Sequence, residues 1–109
     1  MDLTELISTA TQIIERPNGT QVKIVATDFG GPFGRNVGID VFHRDDESQP
    51  WKLCSDRPHP DWRAMPVDEY VKRGRSEKLQ TATFGEMHRV SSLIGMTHAQ
   101  AQAMGAEVR

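Results

Sequence analysis

The sequence predicts an α+β fold in which an N-terminal helix packs on a three-stranded antiparallel meander, followed by an irregular loop and two or three short C-terminal helices. Three patterns predict it: helical spacing of apolar residues near the N-terminus, a period of two in the next stretch, and two helix-capping signals in the last third of the chain. The 109 residues are enough for one domain, and we expect residues 1–109 to form a single α+β domain.

The N-terminal stretch is predicted to be an amphipathic helix. Its apolar residues recur at intervals of three and four, which places them on one helical face. They are Leu3, Leu6, Ile7, Ala10, Ile13 and Ile14. Asp2 and Glu5 have the spacing of a capping pair, and Pro17-Asn18-Gly19 is expected to end the helix. Several threonines lower its helix propensity, so we expect it to depend on packing against the sheet.

From Thr20 onward the periodicity becomes that of β-strands. Apolar and polar residues alternate in three stretches that are separated by a glycine-rich loop and a polar turn. In order, the prediction is a strand at 22–26, a hairpin loop at 30–34, a strand at 37–41, a turn at 45–50 and a short strand at 51–55. Because short connections join consecutive strands, we expect an antiparallel meander with exposed edge strands.

The middle of the chain is predicted to be irregular. Three prolines fall within 56–66, and Pro66 can begin a short helix that extends to about residue 71. The stretch 75–82 has no clear pattern.

The last third of the chain carries two helix starts. Thr83 and Glu86 have the spacing of a capping box, and Gly95 is expected to end the helix that they begin. Thr97 caps a last helix at 98–104. The residues expected on the inner face of the first helix are Phe84, Met87, Val90 and Ile94.

Composition restricts the functional classes. Residues 1–56 carry a net charge of −4 and residues 57–109 a net charge of +2, so neither half has the dense positive charge that nonspecific phosphate binding uses. The single cysteine, Cys54, cannot form an internal disulfide. No basic signal-peptide stretch or membrane-spanning apolar run is present, and we therefore expect a cytoplasmic protein that does not bind membranes.

The densest group of reactive side chains lies at 54–63, where prolines restrict the backbone. Arginine pairs bidentately with acidic groups, and tryptophan offers a flat contact surface; both are frequent in interfaces. We therefore predict a non-enzymatic interaction module for an unknown macromolecule, with a protein favoured over a nucleic acid. The residues expected to bind the partner are Asp56, Arg57, His59, Asp61, Trp62 and Arg63, together with Lys72, Arg73 and Arg75. In the alternative, the acidic and basic groups of 54–63 pair with one another and its tryptophan fills the core edge.

Two further alternatives assign a metal site or a catalytic thiol to this region. In the first, a zinc ion is bound by His43, Cys54 and His59, with Asp56 or Asp61, because these side chains are of the types that bind zinc. Cys54 and His59 could instead form a thiolate–imidazole pair, although a cysteine in a predicted strand is usually a small buried apolar side chain. Neither alternative is preferred, and the prediction assigns no catalytic residue, metal ligand or cofactor.

A nucleic-acid-binding alternative uses the last two helices as a helix-turn-helix with Gly95 in the turn. The second helix would expose His98, Gln100 and Gln102, and no lysine or arginine for phosphates. An αα-hairpin that closes the core is therefore favoured. A further hypothesis is a homodimer that forms through an edge strand or through the apolar faces of these helices.

Two family resemblances accompany these patterns. The predicted order of elements over about 3–55, with Gly31-Pro32 in the first hairpin loop, resembles a double-stranded-RNA-binding domain; Gly34 replaces the histidine usual in that family, and no lysine cluster opens a later helix. The string C-S-D-R-P-H-P-D-W-R at 54–63, followed by V-D-E-Y and G-R-S-E, is similar to uncharacterised small accessory proteins of bacterial plasmids and integrative elements. The latter resemblance implies no activity and no residue role.

Overall fold

The computed structural model describes residues 5–32, 34, 36–54 and 77–105. They form a four-stranded antiparallel sheet in the order β1-β2-β3-β4, followed by three helices. The strands are β1 (Thr9–Glu15), β2 (Gln21–Asp28), β3 (Val37–Arg44) and β4 (Lys52–Leu53), and the helices are α1 (Glu77–Thr81), α2 (Phe84–Ser91) and α3 (His98–Ala103). The predicted α+β class, the antiparallel pairing of consecutive strands and the helices late in the chain are confirmed, whereas the sheet has four strands and not the predicted three. The helix that could begin at Pro66 lies outside the described residues.

The prediction of an N-terminal helix is wrong, because this stretch forms β1 at the edge of the sheet. Ala10 pairs with Ala26 and is buried, whereas Ile13 is 47% exposed and Leu6 is 66% exposed. A helical stripe would have buried all of these apolar residues together. The side chains of β1 instead alternate between the core and solvent, as a strand requires.

The chemical reason for β1 lies in its own residues and in the turn that follows. Threonine and isoleucine are β-branched and favour strands over helices. Gly19 has a φ of +90°, which allows a tight turn, and the Arg16 N–H donates to the Thr20 carbonyl at 2.8 Å to close the hairpin with β2. Because a strand stands where the helix was predicted, the order of elements over this stretch no longer supports the resemblance to a double-stranded-RNA-binding domain.

The core lies between one face of the sheet and the helices. The predicted period of two in β2 is confirmed: Val22, Ile24 and Ala26 are all buried and contribute the centre of this face. Met87 and Val90 of α2 pack against it from the helical side. The late helices therefore cover the sheet, in the place predicted for an N-terminal helix.

Two details of α2 differ from the prediction. Phe84 is 75% exposed and lines a shallow surface groove instead of entering the core. The helix also ends at Ser91, before Gly95, although the buried Ile94 still belongs to the core. The predicted capping box of α2 and the predicted Thr97 cap of α3 are both present, and at α3 the Gln100 side chain completes a capping box as well.

The connection between α2 and α3 is joined to the chain that precedes β1. The Gly95 N–H donates to the Ile7 carbonyl at 2.9 Å, and the Ile7 N–H donates to the Met96 carbonyl at 2.7 Å. Gly95 has a φ of +85°, a conformation that side chains disfavour. The α-helical bonding has already ended before Gly95, because the Leu93 N–H donates to the Val90 carbonyl at 3.2 Å and the Ile94 N–H to the Ser91 carbonyl at 3.1 Å, three residues back in each case.

The outer face of the sheet carries an aromatic and cationic cluster. The Lys23 Nζ lies 4.6 Å from the centre of the Phe42 ring and 4.9 Å from that of Trp51, and the Arg44 Cζ lies 4.0 Å from that of Trp51. These cation–π contacts cover the rings with the protein's own side chains. The longest described helix, α2, has eight residues, well short of the roughly 20 that a membrane span needs.

Candidate metal centre

All nine residues predicted to bind a partner lie outside the part of the chain that the structure describes. This holds for Asp56, Arg57, His59, Asp61, Trp62, Arg63, Lys72, Arg73 and Arg75. The partner surface at 54–63 and the basic stretch therefore stay predictions. Of the side chains proposed for zinc binding or thiol chemistry, the structure places His43 and Cys54.

His43, Cys54 and Glu77 converge at one corner of the sheet. In the register of the sheet, His43 lies opposite Lys52 of β4, and the Cys54 N–H two residues later donates to the Val41 carbonyl at 2.8 Å. Side chains two positions apart share a face, so the imidazole and the thiol both lie on the core side. Glu77, the first residue of α1, closes the corner from the helical layer.

The donor atoms of this corner are close together. His43 Nε2, Cys54 Sγ and a carboxylate oxygen of Glu77 all lie within 4.8 Å of one another. The His43 Nε2 is 3.0 Å from Glu77 Oε1, and the Cys54 thiol donates to Thr81 Oγ1 at 3.5 Å. Among the described residues, this is the one group of three histidine, cysteine or acidic side chains at such spacing.

Accessibility differs among the three groups. The Cys54 side chain is buried, with 4% of the residue exposed, whereas His43 and Glu77 are partly open to solvent. The buried thiol thus forms the base of the corner, and the imidazole and carboxylate form its outer side. An ion from solvent can reach this outer side without unfolding the sheet.

The corner keeps Cys54 protonated in the absence of a cation. Burial raises the pKa of the Cys54 thiol, and the nearby Glu77 carboxylate raises it further, while the hydrogen bond with Thr81 and the charge of Lys78 act in the opposite direction. Activated catalytic cysteines have the reverse environment, in which a positive neighbour lowers the thiol pKa. The described surroundings of Cys54 thus differ from those of an activated thiol, and its pairing with His59, which lies outside the described residues, stays a prediction.

The donor set matches the chemistry of zinc. Thiolate, imidazole and carboxylate are the three side-chain ligands that zinc uses, and a tetrahedral site with its usual bond lengths separates neighbouring ligand atoms by about 3.3–3.8 Å. The donor atoms lie within 4.8 Å of one another, so their widest separation exceeds the tetrahedral range by about 1 Å at most. Closing this difference requires movement of the side chains, and those of His43 and Glu77 are both partly exposed.

Sequence reasoning identified two of these three side chains. His43 and Cys54 were both in the zinc alternative, but Glu77 was missed because it lies 34 residues beyond His43 in a stretch without a clear pattern. The remaining ligands of that alternative, His59, Asp56 and Asp61, lie outside the described residues. Only the packing of α1 on β3 places Glu77 in the corner.

The last two helices also bear on the nucleic-acid alternative. Gln100 and Gln102 of α3 are exposed as predicted, whereas His98 is half-buried. The predicted shortage of cations on this helix thus holds in its described span, which has no lysine or arginine.

Comparison with known proteins identifies no relative: no protein-family model, no curated protein and no solved structure matches the chain.

Proposed function

We propose that the protein binds one divalent transition-metal ion, of which zinc is the best fit, through His43, Cys54 and Glu77. The observation that carries this proposal is the convergence of sulfur, nitrogen and oxygen donors from the end of β3, the residue after β4 and the start of α1 within 4.8 Å. A soft thiolate with an imidazole favours zinc over magnesium or calcium, which prefer oxygen ligands.

The competing explanation is a polar cluster without an ion. In that case the His43–Glu77 ion pair and the Cys54–Thr81 hydrogen bond already satisfy the three groups. An ion pair this open to solvent contributes little to stability, about 1 kcal/mol or less, so stability alone gives a weak reason for the arrangement. The two explanations differ in what happens when metal is added.

Metal titration of the full chain tests the proposal. The protein is prepared without an affinity tag, stripped with a chelator and titrated with zinc against a chromophoric competitor. We expect one ion per chain, and we expect Glu77→Gln and His43→Gln each to weaken zinc binding by at least about tenfold, since each removes one ligand. Cobalt should give a thiolate-to-metal absorption band that Cys54→Ser abolishes.

Matched variants separate this site from adventitious binding. His88→Gln and Glu15→Gln change exposed residues of the same types outside the corner, and both should bind zinc as the unchanged chain does. Glu77→Gln is the most informative variant, because Glu77 is exposed and its replacement leaves the core intact. Failure of the chain to bind zinc, or unchanged binding in both Glu77→Gln and His43→Gln, would overturn the proposal.

The predicted interaction module is compatible with this metal site. Cys54 and Glu77 are the described residues on either side of 55–76, the segment that contains the predicted partner-binding residues. An ion bound by both side chains would hold the two ends of this segment together. Partner binding through that segment stays a prediction, for which capture by Trp62→Ala and Arg63→Ala variants is the direct measurement.

A further inference from the structure

In the described ranges of the chain, the outer edge of β1 presents backbone groups that pair with no other strand. The Asp28 N–H donates to the Ser8 carbonyl and the Arg16 N–H to the Thr20 carbonyl, each at 2.8 Å, which fixes the even-numbered residues of this stretch as those that bond to β2. In an antiparallel ladder the direction of bonding alternates, so the odd-numbered residues direct their N–H and C=O groups away from β2. They are Thr9, Thr11, Ile13 and Glu15. In the part of the chain that the structure describes, no strand lies beyond β1.

Three features by which proteins often block strand addition are missing from Thr9–Glu15. Within Thr9–Glu15 there is no proline and no lysine, and the pairing with β2 runs through all seven residues without a bulge. The outward-facing residues are rich in threonine and isoleucine, which have high strand propensity. Glu15, at the end of the strand, is its one charged residue.

The surroundings of the edge are apolar. Ile13 is almost half exposed, and Met104, near the end of α3, is 64% exposed. A groove of about 390 Å³ lies beside the strand, and its lining includes Thr11, Leu93 and Met104. A strand added to β1 would therefore cover apolar side chains as well as satisfy backbone groups.

We infer that β1 pairs with β1 of a second copy of this chain, antiparallel and about a two-fold axis, to give a continuous eight-stranded sheet. The register that opposes Gln12 to its own equivalent pairs Thr11 of each copy with Ile13 of the other. In this register the outward-bonding residues meet one another, as a hydrogen-bonded antiparallel pair requires. Glu15 faces Thr9 of the other copy, so no like charges are opposed.

Other parts of the sheet are less suited to self-association. The opposite edge strand, β4, has two residues and offers few backbone groups. On the outer face, Lys23 and Arg44 already cover the aromatic rings. A closed two-fold pair is also the commonest assembly for a self-complementary edge.

Molar mass measured over a range of protein concentrations tests the inference. The unchanged chain should approach twice its 12.2 kDa mass as concentration rises. Ile13→Lys places a charge at the centre of the edge, and Thr11→Pro removes an outward N–H without removing a bond to β2. Both variants should keep the mass of a monomer at the highest concentration measured, with circular dichroism confirming that they fold.

Leu53→Lys is the matched control, because Leu53 is an exposed apolar residue on the opposite edge. It should dimerise as the unchanged chain does. The inference fails if the unchanged chain stays monomeric throughout, if folded Ile13→Lys and Thr11→Pro still dimerise, or if Leu53→Lys alone dissociates the dimer. All measurements are made with and without zinc, so their outcome does not depend on the proposed metal site.

Discussion

Arg16 joins the first hairpin to two helices. Its Nη1 and Nη2 atoms donate to the two carboxylate oxygens of Glu86 at 2.7 and 2.8 Å, and Nη2 also donates to the Thr81 carbonyl at 2.8 Å. Glu86 Oε1 accepts a further hydrogen bond from the Thr83 N–H at 3.0 Å as part of the capping box of α2. One side chain thus connects the end of α1, the start of α2 and the sheet.

This arrangement predicts a pH dependence of stability. The hydrogen bonds from Arg16 lower the pKa of the Glu86 carboxyl group to about 2, against 4.5 for an unperturbed glutamate. Because the folded-state pKa is depressed, the contribution is complete above the unfolded-state pKa and is lost as pH falls towards about 2. Glu86→Gln should reduce the free energy of unfolding at neutral pH by about 1 kcal/mol. It should also make stability fall less steeply below about pH 4.5.

Urea denaturation at a series of pH values between neutral and about pH 2 measures both effects. Glu15→Gln changes an exposed glutamate of β1 and serves as the control, with little expected change at neutral pH. The same acid dependence in Glu86→Gln as in the unchanged chain would contradict the role assigned to this ion pair.

Two of the three proposed metal ligands could be predicted from the sequence, and the third could not. The donor types of His43 and Cys54 indicated a metal alternative from sequence, but their separation matches no established ligand spacing. Glu77 carries no local signal, since its position depends on how α1 packs on β3. Ligands brought together by tertiary contacts cannot be identified by spacing along the chain.

Among the elements, prediction succeeded where local chemistry and tertiary structure agree. The alternation in β2, the capping box at Thr83 and the cap at Thr97 each predicted what the structure contains. At the N-terminus the same apolar residues fit a helical stripe and, in part, an alternating strand. Pairing with β2 makes this stretch a strand and not a helix, and its β-branched residues favour the strand as well.

Glycine substitutions test the connection between α2 and α3. Gly95→Ala should destabilise the protein by about 1–2 kcal/mol, because alanine disfavours its positive φ. Gly85→Ala is the control: an added Cβ would meet only Thr83 Oγ1 at 3.9 Å, and alanine should stabilise α2 by up to about 1 kcal/mol. Thermal denaturation measures both changes, and equal effects of the two substitutions would contradict this account.

For the whole molecule, metal binding and folding should be coupled. The three proposed ligands come from both the sheet and the helical layer, so the complete site exists only in the folded chain. At a zinc concentration about 100 times the dissociation constant, binding should add about 2.7 kcal/mol of stability and raise Tm by roughly 10 °C.

Differential scanning calorimetry with and without zinc measures this shift. Glu77→Gln should lose most of it, and His88→Gln should keep it. A Tm that zinc leaves unchanged in a chain shown to bind zinc would mean that the ion binds the unfolded chain equally well, and that the ligands do not form a site particular to the fold.

The nearness of Cys54 to Glu77 has a consequence for the partner binding that is predicted for the residues between them. Cys54 and Glu77 are the described residues on either side of 55–76, and their side chains lie close together. An ion bound to both would therefore hold the two ends of that segment together. Loss of the ion would increase the conformational entropy of 55–76. Binding that requires a single conformation of this segment would then cost more entropy and become weaker. Zinc supply would then regulate recognition without the ion touching the partner.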